Sequence, residues 1–232
     1  MNSYQGALAY PGQRGIKSEL RRLMPRYLWQ LLHDARGNTR LLRYRAFGRP
    51  ISFSETAKAR ARRLREGFFE KYCSGRGLDI GYGGDLLCAN AIAWDVEHGD
   101  GQRLDRIAND TMDFVYSSHT LEHVHDASEA LRNWYRVVKP GGHLILFVPD
   151  RDLYEKRTQL PSRFNPDHKR FFLLDREEPP DTVALLPMIA HTIPHAEIVA
   201  ARRCAEGRTI SDPDLHSDGE YSLEVIVRKP PA

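Results

Sequence analysis

Two periodicities divide the best-patterned part of this chain. Asp113-Phe114-Val115-Tyr116-Ser117-Ser118 is an apolar run that stops at two serines, which reads as a strand. Asp126 and Glu129 have capping-box spacing, and Leu131, Trp134, Val137 and Val138 then recur at helical spacing. Pro140-Gly141-Gly142 is expected to end that helix, and residues 143–148 form a second apolar, β-forming run. The pattern predicts one β-α-β unit with His119, Glu122, His123 and His125 clustered at the carboxyl end of its first strand. In open α/β sheets that edge is where ligands bind.

Upstream, Gly77-Leu78-Asp79-Ile80 runs into the glycine turn Gly81-Tyr82-Gly83-Gly84, and residues 91–95 read as a further strand ending in Asp95. Downstream, residues 182–190 read as a short helix kinked or ended near Pro187. Residues 196–201 and 221–227 read as two last strands, separated by a polar, Asp-rich loop. The amino-terminal part shows two amphipathic stripes. One is Leu20, Leu23, Met24, Tyr27, Leu28 and Leu31. The other is Ala57, Ala61, Leu64, Phe68 and Tyr72, introduced by Ser52 and Glu55 at capping-box spacing. The expected architecture is α/β, a doubly wound, mostly parallel sheet with an antiparallel carboxyl-terminal hairpin, preceded by amino-terminal helices. The expected division is a basic helical segment or cap over residues 1–72 and the sheet domain over residues 73–232.

Charge sharpens that division. The first 70 residues hold 15 Lys or Arg against 5 Asp or Glu, although the whole chain carries a net charge of only +3. Asn38 to Pro50 interleaves Arg40, Arg43, Arg45 and Arg49 with Tyr44 and Phe47. This segment reads either as a lid or docking surface for an anionic acceptor, a membrane surface or RNA, or, over Arg60, Arg62, Arg63 and Arg65, as the solvated face of a helix. No apolar run is long enough to span a bilayer, and no signal peptide is visible. Three scattered cysteines, with no C-x-x-C, predict reduced thiols and a cytoplasmic location.

The glycine turn by itself is weak, and the dinucleotide fingerprint G-x-G-x-x-G fails because Leu86 stands at its third glycine. With its neighbours, however, the chain resembles class I S-adenosylmethionine-dependent methyltransferases of the small-substrate, type 11-like branch. Asp79-x-Gly81-x-Gly83 looks like their first motif, and Gly99-Asp100-Gly101-Gln102-x-Leu104 like their adenine-side segment. Ser118-His119-Thr120-Leu121-Glu122-His123-Val124 followed by Arg136-Val137-Val138-Lys139-Pro140-Gly141-Gly142 is similar to their most characteristic stretch. The chain departs from the family at Asp85, where a third glycine is usual, and in the short connection from Gly83 to Asp95.

The resemblance implies a Rossmann-like, seven-stranded type of sheet and S-adenosyl-L-methionine as methyl donor. Asp79, Gly81, Tyr82 and Gly83 are then expected around the methionine part. Asp95 is expected at the ribose, with Glu97 and Asp85 as rivals. Asp100 and Gly101 are expected beside adenine, and Ser118 and His119 beside the sulfonium. If the acceptor is a hydroxyl, a base is needed, and His119, then His168 in Pro166-x-His168-x-x-x-Phe172, then His123 are the candidates. The spacing His119-x-x-x-His123-x-His125 with Glu122 also fits a metal site, but the family pattern accounts for these residues and no metal is predicted. The expected reaction is O-methylation of a small molecule or cell-envelope sugar. A nucleic-acid acceptor is disfavoured, since N-P-P-Y and paired-cysteine signatures are missing. A degenerate cofactor-binding module without methyl transfer, motivated by Asp85, is the competing reading.

Overall fold

The computed structural model describes residues 54–231, which fall within a compact unit formed by Phe53–Ala232. The apolar stripe at Leu20–Leu31 and the Arg40–Arg49 segment lie outside the described residues. The sheet is built from β1 (Gly77–Ile80), β2 (Ala91–Trp94), β3 (Met112–Ser118), β4 (Val138–Pro149), β7 (Glu197–Cys204) and β8 (Ser222–Arg228). Its order is β2-β1-β3-β4-β8-β7, parallel through β4, with β8 antiparallel to β4 and β7 antiparallel to β8. Two three-residue strands, β5 (Phe171–Leu173) and β6 (Thr182–Ala184), pair separately. The main sheet has six strands among the described residues rather than the expected seven, because residues 95–111 run as turns. The connection from β1 to β2 contains no helix, as its shortness suggested.

β1 and residues 144–149 of β4 are buried on both faces, which is why the carboxyl half of β4 reads as a continuous apolar run. On β3 the alternation is resolved: Val115 joins one core cluster, while Phe114 and Tyr116 join the other. The first cluster is covered by α3 (Ala127–Val137), capped as expected by Asp126 accepting from the Glu129 amide at 2.9 Å. This helix passes directly into β4 at Val138, so Pro140-Gly141-Gly142 lies inside the strand instead of stopping the helix. Gly142 is required there for another reason: a Cβ would come within 2.5 Å of the Asp113 carbonyl. Pro187 likewise sits in the first turn of α4 (Leu185–Thr192), where its missing N–H costs no helical bond.

The other face is covered by α1 (Glu55–Arg65) and α2 (Phe68–Tyr72); of the expected stripe Phe68 is buried and Tyr72 packs beside it, but the positions on α1 are wrong. Ser54, not Ser52, caps α1, accepting from the Ala57 amide at 3.0 Å. Thr56, Ala59, Arg62 and Arg63 are buried, whereas Leu64 is 57% exposed. Arg62 and Arg63 are therefore not a solvated face. Arg62 binds Glu220 at 2.8 Å and Glu224 at 3.0 Å; Arg63 binds Glu224 at 2.8 Å and Tyr116 Oη at 3.0 Å. A helix over a sheet that presents carboxylates must turn its guanidinium groups inward, because an unpaired buried charge is very costly.

Burial alone would raise the Glu224 carboxyl, but Arg63, Arg62 and Arg202 together hold it down at about 2. A depressed carboxyl stabilises the fold above its unfolded pKa and loses that contribution as pH falls through its folded value. About 3 kcal/mol should therefore be present at neutral pH and disappear between about pH 4.5 and pH 2. Urea unfolding of the wild type and Glu224→Gln across this range checks it. The two curves should converge on acidification, and a gap independent of pH would refute it.

Candidate active site

The carboxyl ends of β1, β2, β3 and β4 and the first residue of β8 come together at one edge of the sheet. At its β1 side lies the glycine turn. The Gly81 amide donates to the Trp94 carbonyl at 2.8 Å, and φ is +70°. A Cβ on Gly81 would meet Thr120 Oγ1 at 2.1 Å, so only glycine fits. Gly83, at φ +56°, differs: among the described residues a Cβ there would have only the Gly81 carbonyl within 4 Å. Tyr82 between them is half-buried, and its carbonyl accepts from the Asp85 amide at 2.9 Å. Asp79 is buried beneath the turn. One carboxylate oxygen accepts from the Leu87 amide at 2.8 Å and the other has no partner among the described residues; burial pushes its carboxyl well up.

Asp95 follows β2 directly and is half-buried, accepting from the Val96 amide at 2.9 Å. Glu97 reaches further out, its side chain 44% exposed. Asp85, the other rival, accepts from the Ser54 hydroxyl at the start of α1. Asp100 lies in the next turn, accepting from the Gln102 amide at 2.8 Å. Gly101 packs beside Ile80 and Trp94, and its carbonyl accepts from Trp134 Nε1 at 2.7 Å. Trp94 Nε1, buried at this point, has no partner among the described residues. The residues read as a cofactor cradle are thus gathered at the ends of two adjacent strands, with the glycine turn and these buried polar atoms among them.

Ser118 ends β3, and its carbonyl accepts from Thr120 Oγ1, which also donates to the Ile80 carbonyl at 3.2 Å. Between them His119 takes φ +48°, a conformation few non-glycine residues adopt and one associated with functional turns. The turn swings the imidazole toward β8, where Nε2 lies 2.8 Å from Ser222 Oγ. The rings of Tyr154 and Tyr221 stand edge-on to it at 6.2 and 5.8 Å. His119 keeps 16% of its side-chain surface exposed. Burial first, then the positive field of His168, Lys58, His123 and His216, holds its pKa well below the usual histidine value, so the ring is neutral at physiological pH.

The second predicted histidine is brought to the same place. His168 arrives on the loop before β5, which is laced to the turn after β3. The Lys169 amide donates to the Glu122 carbonyl at 2.8 Å, and Arg170 donates to the carbonyls of Leu121, Val124 and His125. Glu122 Oε1 stands 3.8 Å from His119 Nδ1, from His123 Nε2 and from His168 Nε2. Glu122 is fully buried, and burial pushes its carboxyl up to about 8; desolvation likewise pulls His123 down to about 4. His125 is exposed and stands apart from the cluster.

Several neighbours were invisible in the sequence. Glu155, in a π-helical turn at Arg151–Glu155, lies 2.5 Å from His168 Nδ1. Tyr154, Phe164, His216 and Tyr221 form an aromatic wall beside His119 and His168. Lys58 Nζ reaches Tyr221 Oη at 2.9 Å and lies 4.1 Å from its ring centroid. Only Tyr221 had a signal, its place at the start of an apolar strand.

Residues 54–146, about two-fifths of the chain, match the model of the type 11 methyltransferase family, described as a methyltransferase domain. No curated protein matches. Among solved structures, the chain is similar to a SAM-dependent methyltransferase from Archaeoglobus fulgidus at 18% identity. That match covers 82% of this chain and 99% of the other, with a TM-score of 0.49. It is also similar to a SAM-dependent methyltransferase from Thermotoga maritima (16% identity, 87% and 99% covered, TM-score 0.44). A third is an S-adenosylmethionine-dependent methyltransferase from Mesorhizobium loti (16% identity, 66% and 90% covered, TM-score 0.43).

Proposed function

We propose that this chain, whose residues 54–146 match the type 11 methyltransferase family model, methylates a hydroxyl group on a small molecule or a cell-envelope sugar. Enzymes of this kind use S-adenosylmethionine, which when bound supplies a methyl group already activated on a sulfonium. The residues then have distinct tasks. Gly81 and Gly83 keep the turn over β1 open to the methionine part. Asp95 takes the ribose hydroxyls, a role supported by its place at the end of β2 and by the engagement of Asp85 with Ser54. Asp100 and Gly101 border adenine. The acceptor lies against Tyr154 and Tyr221, where alignment with the methyl carbon contributes most of the rate.

The observation that carries the oxygen acceptor is His119. A hydroxyl must lose its proton as it becomes an ether, and His119 is a neutral imidazole at the carboxyl end of β3, hydrogen-bonded to Ser222 at 2.8 Å. It accepts that proton directly or through the Ser222 hydroxyl. Cys73, Cys88 and Cys204 are free thiols, which suits a reducing cytoplasm. Among the described residues no helix is long and apolar enough to cross a membrane.

The reading is tested by titrating S-adenosylhomocysteine calorimetrically and by offering a labelled methyl donor with hydroxylated small molecules, sugars and RNA. Product on a hydroxylated small molecule or sugar supports it. Cofactor binding with no product on any acceptor, or product only on RNA, overturns it. In the same titrations Asp95→Ala should weaken S-adenosylhomocysteine by about 1.5–3 kcal/mol, the scale of a charged hydrogen bond. Glu97→Ala should change it by less than about 0.5 kcal/mol, as expected of a surface substitution. The reverse ranking would assign the ribose to Glu97.

A further inference from the structure

We infer that Glu122, His123 and His168 form a binding site for one divalent transition-metal ion, at the same sheet edge as His119. The three donor atoms lie within 4.8 Å of one another, and Glu122 Oε1 is 3.8 Å from both imidazole Nε2 atoms. Ligands about 2.0–2.2 Å from a tetrahedral ion stand roughly 3.3 Å apart, so small side-chain rotations close the set.

Three independent features support it. Glu122 is 0% exposed, and among the described residues no other residue's side chain or backbone lies within hydrogen-bond distance of its carboxyl oxygens; the nearest donors are the three imidazoles at 3.8 Å. A carboxylate held in that state is costly unless a cation or donor meets it. Next, His168 Nδ1 is bonded to Glu155 Oε1 at 2.5 Å. That pairing holds the proton on Nδ1 and leaves the Nε2 lone pair directed at Glu122, which is how a carboxylate behind a metal-bound histidine orients its ring. Finally, the two chain segments that supply the ligands are tied backbone to backbone by Lys169 and Glu122 at 2.8 Å, and by Arg170 to three carbonyls of the 121–125 turn. The donors are therefore brought together by the fold and not by rotation of exposed side chains.

Two imidazoles and one carboxylate suit zinc, manganese, iron, cobalt or nickel better than magnesium or calcium. Three protein ligands leave coordination positions free. With His119 Nδ1 3.8 Å from Glu122 and the ring of Tyr154 5.5 Å from that of His168, those positions adjoin the aromatic wall. An acceptor oxygen there would be bound and polarised by the ion. This role rests on the methyl-transfer reading; the site itself does not.

The test uses untagged, full-length protein freed of metal with a chelator and titrated with Co²⁺, followed by its d–d absorption, and with Zn²⁺ by calorimetry. One ion per chain is expected. His123→Ala and His168→Ala should each abolish stoichiometric binding, Glu155→Gln should weaken it about 10–100-fold, and His125→Ala should leave it unchanged. Zn²⁺ should raise the melting temperature of the wild type but not of His123→Ala, which also reports that the variant folds. Binding well below one ion per chain, or binding unaffected by both histidine variants, overturns the site. Metal binding without any effect of chelation on methyl transfer keeps the site and removes its role at the acceptor. Failure to find an acceptor leaves the metal titration decisive, and S-adenosylhomocysteine binding by the metal-free protein separates the two readings.

Discussion

Replacing Arg63 with alanine is expected to destabilise the folded protein by about 3–5 kcal/mol, the scale for removing one partner from a buried ion pair. Arg63 is 0% exposed. Its guanidinium donates to Glu224 and Tyr116 and lies 4.8, 5.1 and 4.6 Å from the ring centroids of Phe68, Tyr116 and Phe147. Truncation opens a cavity under α1 and removes one of the three guanidinium groups that hold the Glu224 carboxyl down. Arg63→Met should recover roughly half of the loss, because it refills the volume and Glu224 keeps Arg62 and Arg202. Urea midpoints for the three proteins measure this. A cost below about 1 kcal/mol for Arg63→Ala would mean that the guanidinium is held at little net gain.

The same cluster shows where the sequence was silent. The face of α1 that enters the core is Thr56-Ala59-Arg62-Arg63, and no hydrophobic template selects it. Its partners Glu220 and Glu224 lie 158 to 162 residues further along the chain, so only the closed sheet reveals why two arginines can be buried. By contrast, β3, α3 and the carboxyl half of β4 were legible because each is specified locally, by an apolar run, by the Asp126 cap and by the recurrence of Leu131 and Trp134. Pro187 misled because its effect depends on position. In a first helical turn it is harmless, and residues 182–184 before it are a short strand whose partner is β5.

The site divides in the same way. His119, Glu122 and His123 stand in one turn and could be read together. His168 was expected beside them only from the resemblance carried by Pro166-x-His168-x-x-x-Phe172; what holds it there, hydrogen bonds between Arg170 and the 121–125 carbonyls, is not readable from the sequence. Glu155 comes from a π-helical turn inside what reads as an unstructured loop, and nothing in the residues 151–166 marks it. His125, by spacing as good a metal ligand as His123, projects to solvent because the turn ends before it.

His119→Ala should lower kcat by roughly 10²-fold or more, the usual contribution of a positioned base. Affinity for S-adenosylhomocysteine should change little, since Asp95 and Asp100 stand in the turns that follow β2 and not beside the imidazole. The KM of the acceptor should move by less than kcat, because the interaction lost is one that strengthens as the proton leaves. His119→Gln separates basicity from shape: it can still hydrogen-bond Ser222 but cannot take a proton at neutral pH, so it should be nearly as slow as the alanine variant. Added imidazole should restore part of the rate to His119→Ala, whose vacated space adjoins Tyr154 and Tyr221, and none to His119→Gln, where that space is filled. A glutamine variant with most of the wild-type kcat would show that His119 only positions Ser222 and the turn. Catalysis would then come from alignment of the acceptor, as an acceptor that is already nucleophilic requires.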